Sequence, residues 1–536
     1  MQHGSSIRVE NLPHVSVASY AEEGLTESTF QSARPFRILF IKPCQPSPYT
    51  AHGPALGILT LIAILRQRFG PKATIHFRDM KLYQEPAEQV DHLLREFEPD
   101  VVAVSALNIE AAASYDIAER TKQFNPEIIT VIGGPITLRQ AEHIFNDSRF
   151  DWIFEGPADR TLAAALARFF SNTPLGNDLP GFSQRNSDGL ITRNSQQDLI
   201  TDLDAIPIPA WDLHDFERSR RRDRRRIITN LDERRYAYLF TSRGFPYLCN
   251  YCHDTFTKRF VYQSTDRVLK EIELLYEQYG VTEFHIIDDI FNLHRPRAQE
   301  IMNAIRARWG DSLYIAFPNG LRGDILDQAT IDAMVAAGTY NVTISIETVT
   351  PRLQEMVEKR LHVDKAKWAV EEFSRQGVIV HGAFMYGFPT ETVEELKATM
   401  DYAVHSPMLH AHFFSVVPQR GTPIYEQAMD ESRYATEKMS ELEGEGGDYA
   451  SNNTWYQMAY GYPLRRFLVK GVYRFYFHPP RLLRYLRIYG IKALSHGLSD
   501  FIISQIRNVV ARLRGFHRKR SPGTGNNSKT SLLPGA

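Results

Sequence analysis

The chain has 536 residues, 43% of them hydrophobic, enough for two or three packed domains and too apolar for disorder throughout. Lysine and arginine (62) nearly cancel aspartate and glutamate (63), so no global field argues for nucleic acid or a strongly charged substrate. Three cysteines, Cys44, Cys249 and Cys252, exclude a disulfide scaffold and suit a reducing compartment. A polar, acidic start up to Arg34 and the lack of an apolar run of about 18 residues predict a cytoplasmic protein.

After a polar tail (1–36), the sequence from Arg37 to Ile41 reads as a buried strand, followed by a Pro/Gly loop and a helix over Leu56 to Phe69. Strand and helix signals then alternate: strand Thr74 to Phe77, helix Ala87 to Phe97, strand Val101 to Ser105, helix Ala111 to Phe124, and strand Ile128 to Ile132 before Gly133-Gly134-Pro135. This rhythm predicts an α/β, doubly wound parallel sheet over residues 37–170. Residues 171–236 lose the rhythm, collect Asn, Gly, Pro and Asp, and read as a linker; the basic run Arg218 to Arg226 is taken as a solvated connector.

A second series over 237–430 places strands at Tyr238 to Ser242, Phe284 to Ile287, Tyr314 to Phe317, Val342 to Ile346, Val378 to Met385 and Phe413 to Val417. The first helix between them is capped by Ser264 or Thr265, faces inward through Val268, Ile272, Leu275 and Tyr279, and ends at Gly280. Six units predict a partial (β/α)6 barrel with its chemistry at the C-terminal strand ends. Residues 431–536 are charged, then helical, aromatic and basic. A helix packed on the barrel or a peripheral membrane contact fits Leu482 to Arg514.

Thr241-Ser242-Arg243-Gly244-Phe245-Pro246-Tyr247-Leu248-Cys249-Asn250-Tyr251-Cys252 directly follows the first barrel strand. A Cys-x-x-Cys pair suits an iron–sulfur cluster, zinc or a redox dithiol. In this setting the words resemble the cluster loop of radical S-adenosylmethionine (SAM) enzymes. That resemblance implies thiolates spaced Cys-x-x-x-Cys-x-x-Cys on a [4Fe–4S] cluster, with Cys249 and Cys252 as ligands and Phe245 at the first ligand position. It further implies Tyr251 beside the adenine, Asp288 at the SAM amino group, and Ser345 and Glu347 at the ribose or methionyl part. Asp288 and Glu347 can equally form ion pairs with Arg243 or Arg322. Gly387-Phe388-Pro389-Thr390-Glu391-Thr392 and Pro418 to Pro423 match later landmarks, or simply turns and a helix cap.

The first domain resembles the cobalamin-binding module that precedes the barrel in one radical SAM class. The matching words are Gly57-Ile58-Leu59, Val104-Ser105-Ala106, Gly133-Gly134-Pro135 and Glu155-Gly156. Ser105, Gly133, Gly134, Glu155 and Gly156 are the implied cobalamin contacts, at the C-terminal edge of the sheet. No Asp-x-His-x-x-Gly occurs, and His52 is read as an ordinary loop histidine. The resemblance spans about Arg37 to Glu426. It implies radical chemistry on an unactivated carbon, most plausibly C-methylation, with SAM, a [4Fe–4S] cluster and cobalamin. It also implies a small-molecule or lipid-like substrate and an electron donor protein such as flavodoxin or ferredoxin. The alternative is a silent cobalamin-binding or interaction protein. His253, Asp254 or Cys44 are the substitutes for the ligand that Phe245 cannot supply; degeneration and a sequence variant are the other accounts.

Overall fold

In the computed structural model, residues 27–44, 53–138, 140–185, 189–196, 200–222, 234–251, 258–416, 422–430, 456 and 460–489 are described. Cys252, His253, Asp254, His52 and the words from Pro418 to Gly421 lie outside them, as does most of the segment from Leu482 to Arg514.

The N-terminal sheet has seven strands: β1 (Phe36–Lys42), β2 (Ala73–Asp79), β3 (Val101–Ser105), β4 (Ile129–Gly133), β5 (Trp152–Phe154), β6 (Phe182–Arg185) and β7 (Ile191–Arg193). Their order is β2-β1-β3-β4-β5-β6-β7, parallel through β5, as the βα rhythm requires. Strands β6 and β7 are antiparallel and fall in the stretch read as linker, so the sheet reaches beyond Phe170. Both are short and polar, and only sheet pairing gives them their conformation.

The second sheet has six strands, all parallel: β8 (Arg235–Leu239), then, past the short hairpin β9 (Ser242–Arg243) and β10 (Val261–Tyr262), β11 (Val281–Ile286), β12 (Tyr314–Leu321), β13 (Thr339–Glu347), β14 (Ile379–Tyr386) and β15 (His410–Ser415). Ala237, Leu239, Phe284, Ile286, Val342 and Ile344 turn outward onto the helices in one large core. The helix Thr265–Tyr279 carries its expected cap, with Ser264 Oγ accepting from Arg267 N at 3.2 Å, and Gly280 (φ 63°) ends it.

The helix Leu56–Phe69 serves two cores: Leu56 and Leu59 pack with the barrel, whereas Ile58, Ile62 and Leu65 pack under the N-terminal sheet. At the far end, the helix Leu464–Tyr476 lies against β15 and the helix Val393–His405. Arg481 is buried and donates to the carbonyls of Met408, Ala403, Val404 and Ser406, closing the C-terminus of that second helix. The described residues of the C-terminal region, 456 and 460–489, therefore pack on the barrel. No helix among the described residues is long and apolar enough to cross a membrane.

Candidate functional site

The loop after β8 is held by the protein itself. Asp288, just past β11, is buried and accepts three hydrogen bonds of 2.6 Å, from Thr241 N, Thr241 Oγ1 and Ser242 Oγ. Burial pushes its carboxyl pKa up, against the pull of Arg297 and these donors. Expected at a SAM amino group, Asp288 is instead directed at the base of the loop. Asn250 fixes the other end, donating from its backbone to Val357 O (3.1 Å) and from its side chain to Met356 O (3.0 Å). Tyr251 sits in an apolar cluster with Leu353, Val357 and Phe388.

Between these anchors, Cys249 is buried. Desolvation pushes its thiol pKa up, while Lys359 and Arg322 pull it down. Phe245 occupies the outer part of the loop in a ladder of rings and cations. Its ring lies 5.3 Å from Tyr247, Lys258 Nζ stands 5.9 Å over it, and Arg322 stacks on Tyr247 at 3.8 Å. Lys258 also donates to Tyr247 O at 2.6 Å. A phenyl ring has no lone pair for iron, so position 245 does not fit a cluster ligand, whereas Cys249 does. Among the described residues no group of three or more His, Cys, Asp or Glu side chains is placed to hold a metal ion.

Glu347 ends β13 with φ 66°, a backbone strain tolerated when neighbouring contacts enforce it, and pairs with Lys359 at 2.9 Å. Its partner is thus neither Arg243 nor Arg322. Ser345 is half-buried on the same face, against Gly320, where a Cβ would approach the serine Oγ to 2.8 Å. Arg322 pairs with Asp324. In the Gly387 to Thr392 words, Thr392 caps the next helix in a capping box with Glu395, so the turn-and-cap reading describes them.

Glu391, within those words, is buried and accepts from the backbone of Gly387 (2.6 Å) and Phe388 (3.1 Å), while its Oε1 has no partner among the described residues. Burial raises its pKa to about 8. Between the unfolded value near 4.5 and that folded value, only the native state holds the proton. This contribution to stability is therefore full at low pH and falls as pH rises through 8, by up to about 1.4 kcal/mol per pH unit. Glu391→Gln should flatten that slope; urea midpoints at pH 5, 7 and 8.5 that move in parallel for both proteins would refute the assignment.

At the C-terminal edge of the N-terminal sheet, Gly134 (φ 91°) packs on the backbone of Ala106, and a Cβ there would come within 2.8 Å of Ala106 O. Its glycine serves the strand-end packing. At Gly133 a Cβ would make ordinary contact with Phe154 at 3.9 Å, and Ser105 beside it is half-buried, so packing within the sheet does not require this glycine. Glu155, expected on cobalamin, is turned to β7, in a two-bond pair with Arg193 at 2.9 Å. The sequence reading placed no role on Lys42, which pairs with Glu110 beneath the loop after β3; desolvation lowers its pKa.

The two sets of strand-end loops meet. Arg243 holds Asp159, from the loop after β5 that carries Glu155 and Gly156, in a bidentate pair at 2.8 and 3.0 Å. Gly53, in the loop after β1, lies so close to the Tyr238 ring that a Cβ would fall 2.1 Å from it. Charged partners 84 residues apart leave no local signal in sequence.

Comparison with known proteins agrees with this geometry. The Radical SAM superfamily model matches residues 240–403, and the B12 binding domain model matches 49–166. An uncharacterized methyltransferase of Pyrococcus horikoshii is 27% identical over 386 residues, covering 70% of this chain and 79% of that one. The cytidylyl-2-hydroxyethylphosphonate methyltransferase of Streptomyces wedmorensis is 26% identical over 372 residues, covering 64% and 69%. Among solved structures, the radical SAM methyltransferase TsrM of Kitasatospora setae, with cobalamin and a [4Fe-4S] cluster bound, shares the fold at a TM-score of 0.58 and 19% identity, over 74% of this chain and 75% of that one. The chain therefore belongs to the radical SAM superfamily, in the class whose barrel follows a cobalamin-binding domain.

Proposed function

We propose that the protein is a cobalamin-dependent radical SAM enzyme that methylates carbon. The observation that carries this reading is the Arg243–Asp159 pair, which brings the cluster loop of the barrel against the strand-end loops of the B12-binding domain. When bound, the cluster supplies the electron that cleaves SAM, and cobalamin carries the methyl group. This chain's own part is to hold those groups in register and exclude water. Cys249 and Cys252 would hold the cluster as its two thiolates from this loop. Tyr251, Ser345 and Glu347 line the SAM side. Ser105 and Gly133 form the surface that cobalamin approaches. Asp288, Gly134 and Glu155 act behind these, as positioning residues. Glycine at 156 (φ 83°) lets the chain turn between Glu155 and Asp159.

The methyltransferases among the relatives support the activity and do not favour the silent alternative. An electron donor protein such as flavodoxin or ferredoxin would serve the cluster, and a small molecule would be the acceptor. The exposed side chains of Val469, Tyr473, Phe477 and Leu483 are where a peripheral membrane contact would form. The activity is tested by anaerobic reconstitution with iron, sulfide and cobalamin, followed by strong reductant and SAM carrying a deuterated methyl group. Deuterated methylcobalamin and 5′-deoxyadenosine are expected by mass spectrometry. Loaded protein that yields neither overturns the reading.

A further inference from the structure

Alternate residues of the barrel strands turn away from the helices into the lumen. At its floor, Tyr236 OH is held by Ser219 (3.1 Å), Asn341 and His381 are in contact at 3.1 Å, and His410 meets Tyr489 OH at 3.1 Å from the C-terminal helix. Above the floor the walls are rings. His285 on β11 stacks with Tyr236 and Tyr238 on β8 (centroids 5.3 and 5.7 Å, planes within 27°). On the opposite edge of the sheet, His412 stacks with Phe414 on β15 (5.6 Å, 19°). Tyr238, His285 and Phe414 are half-buried and His412 is open.

Each carboxylate on the lumen face is also held by a partner. Glu283 and Glu347 are the charged side chains on this face of the described strands. Glu283 Oε1 meets both His285 Nε2 (2.7 Å) and Tyr340 OH (2.8 Å), and Glu347 is paired with Lys359. Burial holds the pKa of His381 down at about 3 and lowers that of His410, so these two rings are neutral near pH 7. The contact with Glu283 fixes the orientation of the His285 ring in the wall. The lumen thus offers flat π faces, and its strands place no lysine or arginine on this face for a phosphate or phosphonate.

We propose that the substrate group held in this lumen is an uncharged, planar aromatic ring, stacked on the Tyr238–His285 wall. This rests on the carbon-methylating reading above and names its substrate class. It also separates this chain from its relative that methylates a cytidylyl phosphonate. Gly53 against Tyr238 places the loop after β1 of the B12-binding domain on the same wall, so the bound ring would lie beneath that domain.

The test uses the reconstituted holoprotein with indole as a neutral planar probe and methylphosphonate as an anionic one, each titrated by calorimetry. Indole should bind at a single saturable site and methylphosphonate should not. Tyr238→Ala should weaken indole by about fivefold or more, the scale of one aromatic contact, while Tyr238→Phe retains it. Absence of saturable indole binding, indole binding indifferent to Tyr238→Ala in a protein whose melting temperature is unchanged, or saturable methylphosphonate binding overturns the assignment. Methyl transfer from SAM to cobalamin needs no substrate, so its presence in the same preparations keeps a failure here distinct from a failure of the enzymatic reading.

Discussion

Anaerobic reconstitution of Phe245→Cys is expected to give more iron per chain than the natural sequence and faster cleavage of SAM, by roughly 10- to 100-fold, the scale on which even outer-sphere ligand changes act. The physical case is local. The loop presents Cys249 from a buried position and carries Cys252 three residues on, but at the remaining position it has a ring. An iron without a protein thiolate is more readily lost, so fewer chains of the natural sequence would carry a complete cluster. The exchange is well tolerated because the loop is not shaped by residue 245: Asp288 fixes its start, Asn250 fixes its end and Lys258 braces Tyr247. Loss of the Phe245–Tyr247 contact should cost about 1 kcal/mol. Iron and sulfide content, the electron paramagnetic resonance of the reduced cluster and 5′-deoxyadenosine yield are the readouts. Identical values for both proteins would mean that the third ligand comes from outside this loop.

Breaking the Arg243–Asp159 pair should destabilise the whole chain and uncouple its halves. Both side chains are largely buried, 17% and 7% exposed, and each makes two charge-assisted bonds to the other. Asp159→Asn or Arg243→Gln leaves one charge without its partner, at a cost of about 2–4 kcal/mol. A single urea transition should split into two as the interface weakens. The double variant Arg243→Met/Asp159→Leu should recover most of the loss, because the unpaired charge is gone. Single Arg243→Met and Asp159→Leu effects that add up to that of the double would show that the pair contributes no coupling. In protein loaded with cob(II)alamin and a reduced cluster, the single variants should also weaken the magnetic interaction between the two centres, a signature that a purely local packing defect would leave in place.

Much of this organisation is written in local pattern. The βα alternation marks ten of the eleven parallel strands to within a few residues, since buried strands leave apolar runs and helices leave a 3.6-residue stripe. The exception, β5 (Trp152–Phe154), is only three residues long. Ser264 and Gly280 bracket their helix as capping chemistry requires. The cysteine words fall on a strand-end loop, as expected. What escaped the sequence depends on distant partners. Glu155 looked like a ligand because it follows a strand, but β7 lies in a segment with no strand signal and supplies Arg193. Asp288 looked presented because it ends β11, but the backbone of Thr241 claims it. The aromatic lumen was invisible because its rings are spread over four strands, one to three on each.

The helix Leu56–Phe69 carries a consequence for how such proteins are assembled and recombined. With Leu56 and Leu59 in one core and Ile58, Ile62 and Leu65 in the other, its two sides answer to two different sets of neighbours. A chimera that joined this N-terminal half to a related barrel at the apparent linker would mismatch that helix, even with every cofactor contact retained. Inheritance in this class should therefore pass the two halves together, and drift on one face of that helix should be answered by drift in the barrel helices it touches.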